Sequence, residues 1–409
     1  MQSITLLGSS SGRNAGDAAL IAGIMDAVDA ATNTQLTYEI PTLNPAYIRE
    51  HYRQKTVPVS MMPYAGSVGM LGVPTLRSVL RSDLSMIFDA ILFDRSLYNP
   101  VFNNMISCAA LLPFAKRRGR FLGMYNVGVG PIDTPAGGRM LQSLGNSMDF
   151  ITVRDRQSLQ ILRDVGVTNP RILLGADAAI SVTPADAPRV DAIVKAIGLD
   201  LSRPVVGINV SKYLDTWTRP KRPSMGKERF LEVLGAALTR FCKDSGVGLL
   251  FVSTQHHDLP LTEELAAKIP TTVPRSLLSN TVYDHYDVKG VLRRLSLLFG
   301  MRLHATILAS AELVPTIGLG HQPKVDYYFK TLGMGEWNMD FNDFSEERLY
   351  HHFASAFDQR SSMRSHLEKR IPELRFEATR AARIVDALHR GCTVDAAFAA
   401  GAQDGGVVG

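Results

Sequence analysis

Arg302 and His304 stand two residues apart, directly after a short apolar run that ends at Gly300. An arginine fork matches phosphate or carboxylate oxygens at two points, and histidine carries a proton near neutral pH. Residues 297–319 read LLFGMRLHATILASAELVPTIGL, the pattern of a strand, a tight turn, a helix and a second parallel strand. That pattern puts both side chains at a helix N-terminus, where free N–H groups and the macrodipole favour an anion. Within a helix, side chains two positions apart diverge by about 200°. A shared ligand therefore requires the turn, and not the helix body, to hold at least one of them. The structural alternative is an arginine that caps a neighbouring helix and a histidine bonded in the core.

Asn14-Ala15-Gly16-Asp17 forms a second candidate site at a strand-to-helix turn. Gly16 lets a substrate approach, Asn14 and Asp17 suit sugar hydroxyls, and a desolvated Asp17 can act as a general base. The competing role is an ordinary helix cap. Arg154, at the end of the apolar run 150–153, can reach a cleft and neutralise an anion, or pair with a nearby carboxylate. Asp155 and Ser158 suit the cap of the next helix, and Asp177 suits a turn. Gly130 closes the turn Asn126-Val127-Gly128-Val129-Gly130-Pro131, where glycine admits a ligand or an unusual backbone angle. His256-His257-Asp258 follows another strand end. Adjacent histidines on extended chain face opposite ways, so a shared metal is not expected, and His257 is the candidate to line the cleft. No GxGxxG or Walker motif is present.

These loops must be positioned by an alternation of strands and helices. Residues 3–8, 35–40, 89–93, 119–125, 150–153 and 171–174 read as strands of a first domain, with residues 41–80 as a long Pro-, Gly- and Met-rich insertion. Thr183-Pro184-Ala185-Asp186-Ala187-Pro188 reads as a linker. The alternation restarts with strands at 205–210 and 247–253 and the strand–turn–helix–strand of the opening paragraph. The expected organisation is a Rossmann-like domain over 1–185, a second over 189–345, helices over 346–395 packing across both, and a disordered Gly/Ala tail over 396–409. Both domains are expected to be doubly wound α/β folds facing a central cleft, with each flagged loop leaving the C-terminal end of a strand.

Composition bounds the partners. The 409 residues carry a net charge of +5, with 45% hydrophobic and 20% charged residues, as expected of a globular chain with two cores. Basic residues cluster at Lys116-Arg117-Arg118-Gly119-Arg120 and Arg219-Pro220-Lys221-Arg222 without interleaved aromatics, which argues against nucleic acid. Peripheral contact with a lipid-phosphate surface stays open. Cys108, Cys242 and Cys392 are scattered, with no disulfide framework or metal spacing. The chain opens into SITLLG without a signal peptide, and no apolar run reaches the ~20 residues of a membrane span, so a cytoplasmic location is expected. No feature fixes an oligomeric state.

With these residues in hand the chain resembles the polysaccharide pyruvyl transferase family. The resemblance rests on N-x-G-D at residues 14–17, G-V-G-P at 128–131, V-R-D-x-x-S-x-x-x-L at 153–162 and D-A-A at 177–179. It continues with an H-x-x-D-like region at 256–258 and M-R-L-H-A-x-I-L-A at 301–309 followed by V-P-T-I. It implies a two-domain fold like the GT-B glycosyltransferases and a phosphoenolpyruvate donor, with no cofactor or metal. The implied product is a cyclic pyruvate ketal on a sugar of a polysaccharide or lipid-linked precursor, and peripheral contact with the inner membrane face is compatible with a cytoplasmic protein. By that analogy Arg302, Leu303 (through its backbone) and His304 hold the donor, the second domain being the donor side and the first the acceptor side. Arg154 would be a further anion contact, Asp17 would activate a hydroxyl, and Lys324 would face the donor. The sequence departs from the family at Ala18, where an acidic residue is usual, at Asp94-Arg95-Ser96 in place of a glycine-rich turn, and over residues 318–324. The other readings are a glycosyltransferase using a nucleotide sugar on the same architecture and a non-catalytic sugar-binding relative.

Overall fold

A computed structural model describes residues 1–60, 68–99, 103–212, 226–320 and 323–403; the basic stretch at 219–222 lies outside them. The chain divides into two units, one formed by Met1–Gly12, Asp17–Val182 and Leu374–Gly409, the other by Arg13–Gly16 and Thr183–Glu373. Each is built on a parallel sheet whose strands are near-continuous apolar runs, as strands covered on both faces must be.

In the first unit, strands β1 (Ser3–Leu7), β2 (Thr37–Thr42), β3 (Thr56–Ser60), β4 (Leu84–Ile87), β5 (Phe121–Val127), β6 (Phe150–Val153) and β7 (Ile172–Leu174) form a sheet in the order β3-β2-β1-β4-β5-β6-β7. The order reverses between β1 and β4, the crevice position of a doubly wound sheet. Three expectations are corrected here. Residues 41–80 are not an unstructured insertion, since they contain the helix Pro45–Glu50, edge strand β3 and the helix Val68–Arg81. Residues 89–93 are not a strand, because Asp89 takes φ +67° and turns the chain just past β4, leaving a single bridge from Leu92 to Val129. Residues 396–402 are not disordered, for the helix Val394–Ala402 is capped by Thr393 and fits Gly401 against Ile384.

In the second unit, β8 (Val205–Asn209), β9 (Gly248–Ser253), β10 (Arg275–Ser279), β11 (Leu297–Gly300), β12 (Thr316–Gly320) and β13 (Asn338–Asp340) follow the order β10-β9-β8-β11-β12-β13, all parallel. The reversal falls between β8 and β11. The helix Glu346–Asp358 belongs to this unit, where Phe353 packs on Phe241 and Phe299. The helix Arg380–His389 belongs to the first unit, and the chain passes from one to the other inside the helix Arg360–Ala378, next to Pro372. Cys108 and Cys242 are buried, and burial pushes both thiols up to about 12.

Candidate active site at the β11 turn

β11 ends at Gly300, where a Cβ atom would lie 2.5 Å from Thr306 Cγ2. Glycine is required for the returning helix to approach that closely. Arg302 then takes an extended conformation (φ −91°, ψ 130°) as the N-cap of the helix Leu303–Ala311, without a side-chain cap bond. All nine helical residues are buried. Leu303 is therefore anchored in the core, and its contribution to a ligand is limited to its backbone N–H.

The Arg302 guanidinium turns to the strand on the other side of β8. Its Nε donates to Asp258 Oδ2 and its Nη2 to Asp258 Oδ1, each at 2.7 Å. Asp258 is fully buried, while the Arg302 side chain keeps 13% exposure. The same Oδ1 accepts the Lys212 backbone N–H at 3.0 Å. The Arg302 backbone N–H donates to Asn209 Oδ1 at 3.0 Å, and Asn209 Nδ2 donates to the Val252 carbonyl at 2.9 Å. A buried carboxylate is costly unless paired and hydrogen-bonded, and the fork plus one amide meet that demand. The ends of β8, β9 and β11 are thereby tied together where the strand order reverses, the position at which such sheets bind ligands.

His304, the second residue of the helix, is 8% exposed and packs on Gly16. A Cβ on Gly16 would stand 2.1 Å from His304 Nδ1. Gly16 is held there by its own loop. Asn14 Oδ1 accepts the Gly16 N–H at 2.9 Å, Ala15 N–H donates to the Thr254 carbonyl at 2.8 Å, and Asn14 forms an antiparallel bridge with Gln255. His256 N–H and Asn280 Nδ2 both donate to the Arg13 carbonyl at 3.1 Å. Burial is the largest influence on His256 and lowers its pKa, helped by Arg13 and His257 and opposed by a backbone hydrogen bond to Asn280.

Arg302, Leu303, His304, Asn14 and Gly16 are thus brought together in the second unit, with Arg302 at the turn and His304 in the first helical turn. His257 lies in the short turn His256–Asp258 beside them and is exposed. Lys324 is exposed in the first turn of the helix Pro323–Leu332, following β12. Asp17 falls in the first turn of the helix Ala15–Thr32 and counts with the first unit. Asn209 and Lys212 belong to no motif in the sequence, and the one signal for Asn209 is a polar residue closing the apolar strand VVGIN.

Arg154 and Gly130 belong to the first unit. Arg154 is 8% exposed, with Nη1 3.1 Å from Asp177 Oδ2 and Nε 3.5 Å from Asp155 Oδ2. Burial, the largest influence, pulls its pKa down, yet Asp177, Asp155 and Asp89 together hold it above the ordinary value. Its guanidinium covers Gly128, where a Cβ would meet Nη2 at 2.7 Å. The carboxylate-paired alternative describes this arginine. Gly130 takes φ +95° and donates its N–H to the Leu92 carbonyl at 2.7 Å, as a turn glycine does.

Among the described residues no group of three His, Cys, Asp or Glu side chains could hold a metal ion, and no helix is long and apolar enough to cross a membrane.

Comparison with solved structures supports the same architecture. A Listeria monocytogenes protein provisionally named as a UDP-N-acetylglucosamine 2-epimerase aligns with TM-score 0.67 at 12% identity, covering 96% of this chain and 98% of that one. The UDP-GlcNAc 2-epimerase of Neisseria meningitidis, solved with UDP-GlcNAc bound, aligns with TM-score 0.62 at 9% identity over 95% and 100% of the two chains. The ADP-heptose LPS heptosyltransferase II of E. coli gives TM-score 0.50 at 12% identity over 88% and 100%. These likenesses establish the fold, two parallel-sheet α/β domains of GT-B type with C-terminal helices. A search of curated proteins finds no significant match. The family model for polysaccharide pyruvyl transferases matches residues 14–323, a span that begins at Asn14 and takes in the whole network around Arg302 and His304. The chain belongs to the polysaccharide pyruvyl transferase family.

Proposed function

We propose that this chain transfers the pyruvyl group of phosphoenolpyruvate to a sugar of a polysaccharide or lipid-linked precursor, closing a cyclic ketal and releasing phosphate. The observation that carries the reading is the β11 turn, where Arg302, at a helix N-terminus, and His304, against the Asn14–Gly16 loop, stand two residues apart at a strand-order reversal. Phosphoenolpyruvate carries a phosphate and a carboxylate, and backbone N–H groups with one arginine suit such a dianion. Protonation of its methylene carbon gives an oxocarbenium-like centre. One sugar hydroxyl adds to the adjacent, phosphate-bearing carbon, a second displaces phosphate from it, and the two hydroxyl protons end on the new methyl group and on the phosphate. His304 is the candidate proton carrier. Asp17, next in the chain after the glycine that His304 packs on, is the candidate base for the attacking hydroxyl.

A lipid-linked acceptor implies work at the inner face of the membrane from the cytoplasm. The basic cluster at 116–120 is partly committed, since Lys116 pairs with Asp149 and Arg120 with Asp83. Arg117 and Arg118 are exposed, beside an exposed Phe114.

The test is incubation of the full chain with phosphoenolpyruvate and glycan extracted from the host, following phosphate release and the gain of one pyruvyl group by mass spectrometry. Both signals are expected, and His304→Ala should lower the rate by about 10²–10³-fold. Turnover of a nucleotide sugar with no phosphate released from phosphoenolpyruvate would overturn the reading.

A further inference from the structure

A cavity of about 840 Å³ lies in the second unit, outside the β11 turn, between β13 and the helices Glu346–Asp358 and Arg360–Ala378. Trp337 and His352 form its aromatic part, with ring centroids 6.0 Å apart. His352 Nε2 lies 3.2 Å from the Trp337 carbonyl, which fixes the imidazole against the short turn that carries the indole. The cavity is also lined by Glu336, Asp340 and Asp343, against the single guanidinium of Arg348, itself bonded to Asp343 at 2.6 Å, and by the imidazoles of His351 and His366, already bonded to Glu347 and to the Leu332 carbonyl.

This lining selects a class of ligand. Three carboxylates against one guanidinium repel phosphate, nucleotide and phosphoenolpyruvate, because like charges are costly at close range. A lipid tail would leave the carboxylates facing hydrocarbon. A neutral molecule with several hydroxyl donors and an apolar C–H face meets both halves of the cavity, with carboxylates accepting from hydroxyls and the indole covering the apolar face. The volume is in the range of small-molecule sites.

We propose that this cavity is a carbohydrate subsite that holds a neutral sugar of the glycan away from the reacting one. Register supports that use. Gly300 pairs with Gly318, and Gly318 with Asn338, so β13 enters the cavity level with the end of β11. Two strand spacings, about 10 Å, separate the end of β11 from β13. Identification of the occupant as part of the acceptor glycan rests on the pyruvyl-transfer reading; the sugar-binding chemistry of the cavity does not.

The sequence contains two tryptophans, and Trp217 lies outside the described residues, so Trp217→Phe leaves Trp337 as the one indole reporter. The full-length Trp217→Phe chain is titrated with the methyl glycosides of glucose, galactose, mannose and N-acetylglucosamine, and separately with inorganic phosphate. A saturable change in Trp337 emission is expected with at least one glycoside and none with phosphate. Asp340→Asn should weaken that binding roughly tenfold, about 1.4 kcal/mol, with an unchanged melting temperature. No saturable change with any glycoside, saturation by phosphate, or full affinity in Asp340→Asn would overturn the proposal. The readout needs no turnover. A chain that transfers pyruvate without binding sugar here refutes the subsite alone, and a chain that binds sugar without transferring pyruvate refutes the function alone.

Discussion

Arg302 and Asp258 face each other fork to fork, two nitrogens on two oxygens at 2.7 Å, with the carboxylate fully buried. The pairing spends part of the guanidinium on the protein itself and fixes its plane before any ligand arrives. Asp258 is therefore the residue through which Arg302 is positioned. Asp258→Ala should strand the guanidinium in a mostly buried place and lower stability by about 3 kcal/mol, the lower end for a broken buried pair because Arg302 retains some exposure. Arg302→Lys keeps the charge but not the fork, so it should fold better than Asp258→Ala and still lose pyruvyl transfer. Urea unfolding alongside phosphate release checks both. Wild-type rates in Arg302→Lys would show that the fork is not used.

Gly16 offers a test that separates local propensity from site geometry. It lies in the first turn of a helix, where alanine is ordinarily the better residue by up to about 1 kcal/mol. A Cβ there would be 2.1 Å from His304 Nδ1, so Gly16→Ala must displace the imidazole. His304 Cβ would lie only 2.3 Å away, so the helix itself must shift, and the expected outcome is a lower melting temperature together with a loss of transfer close to that of His304→Ala. Equal activity in Gly16→Ala would mean that the histidine acts from another position.

Asp94 is a staple between two loops. Its Oδ2 accepts the Asp133 and Thr134 backbone N–H groups and the Thr134 hydroxyl at 2.9, 2.6 and 2.7 Å. Burial, the largest influence, raises its pKa, but the hydrogen bonds together hold it below the ordinary 3.8. A carboxylate depressed on folding adds stability above its unfolded pKa and loses it as pH falls through the folded one. The contribution of Asp94 should thus be complete at neutral pH and fade only below about 3.8. Asp94→Asn should melt at a lower temperature at pH 7, and the gap from the parent should narrow in acid. A gap that stays constant from pH 7 to pH 2 would remove the charge from the explanation.

Much of the fold is legible because parallel strands covered on both faces read as short apolar runs. Residues 150–153 and 297–300 show this directly. The errors have local causes. β3 escaped notice because it contains Pro58 and sits at the sheet edge, where proline is tolerated. The apolar stretch at 89–93 looks like a strand, but a positive φ at Asp89 is a backbone choice that no hydrophobic pattern records. The alanine- and glycine-rich end of the chain has the composition of a disordered tail, yet alanine is the best helix former and Thr393 supplies a cap. At the site, the MRLH turn and the Asn14–Gly16 loop were readable as separate motifs. Their meeting was not, and neither was the choice of Asp258 as the partner of Arg302, since both depend on strand order.

The loop that receives His304 is the earliest part of the site to leave the ribosome, whereas its partners come from the second half of the chain. The contact between Asn280 and the Arg13 carbonyl spans 267 residues, and His304 is made later still. Contacts this distant are slow to close and are made only after most of the chain has been synthesised. Residues 13–16 must therefore wait, unpaired, while the first sheet forms around their flanks. A fragment starting at Thr183 would never acquire them, so bisecting the gene at the linker should yield a second half whose His304 lacks the loop it packs on.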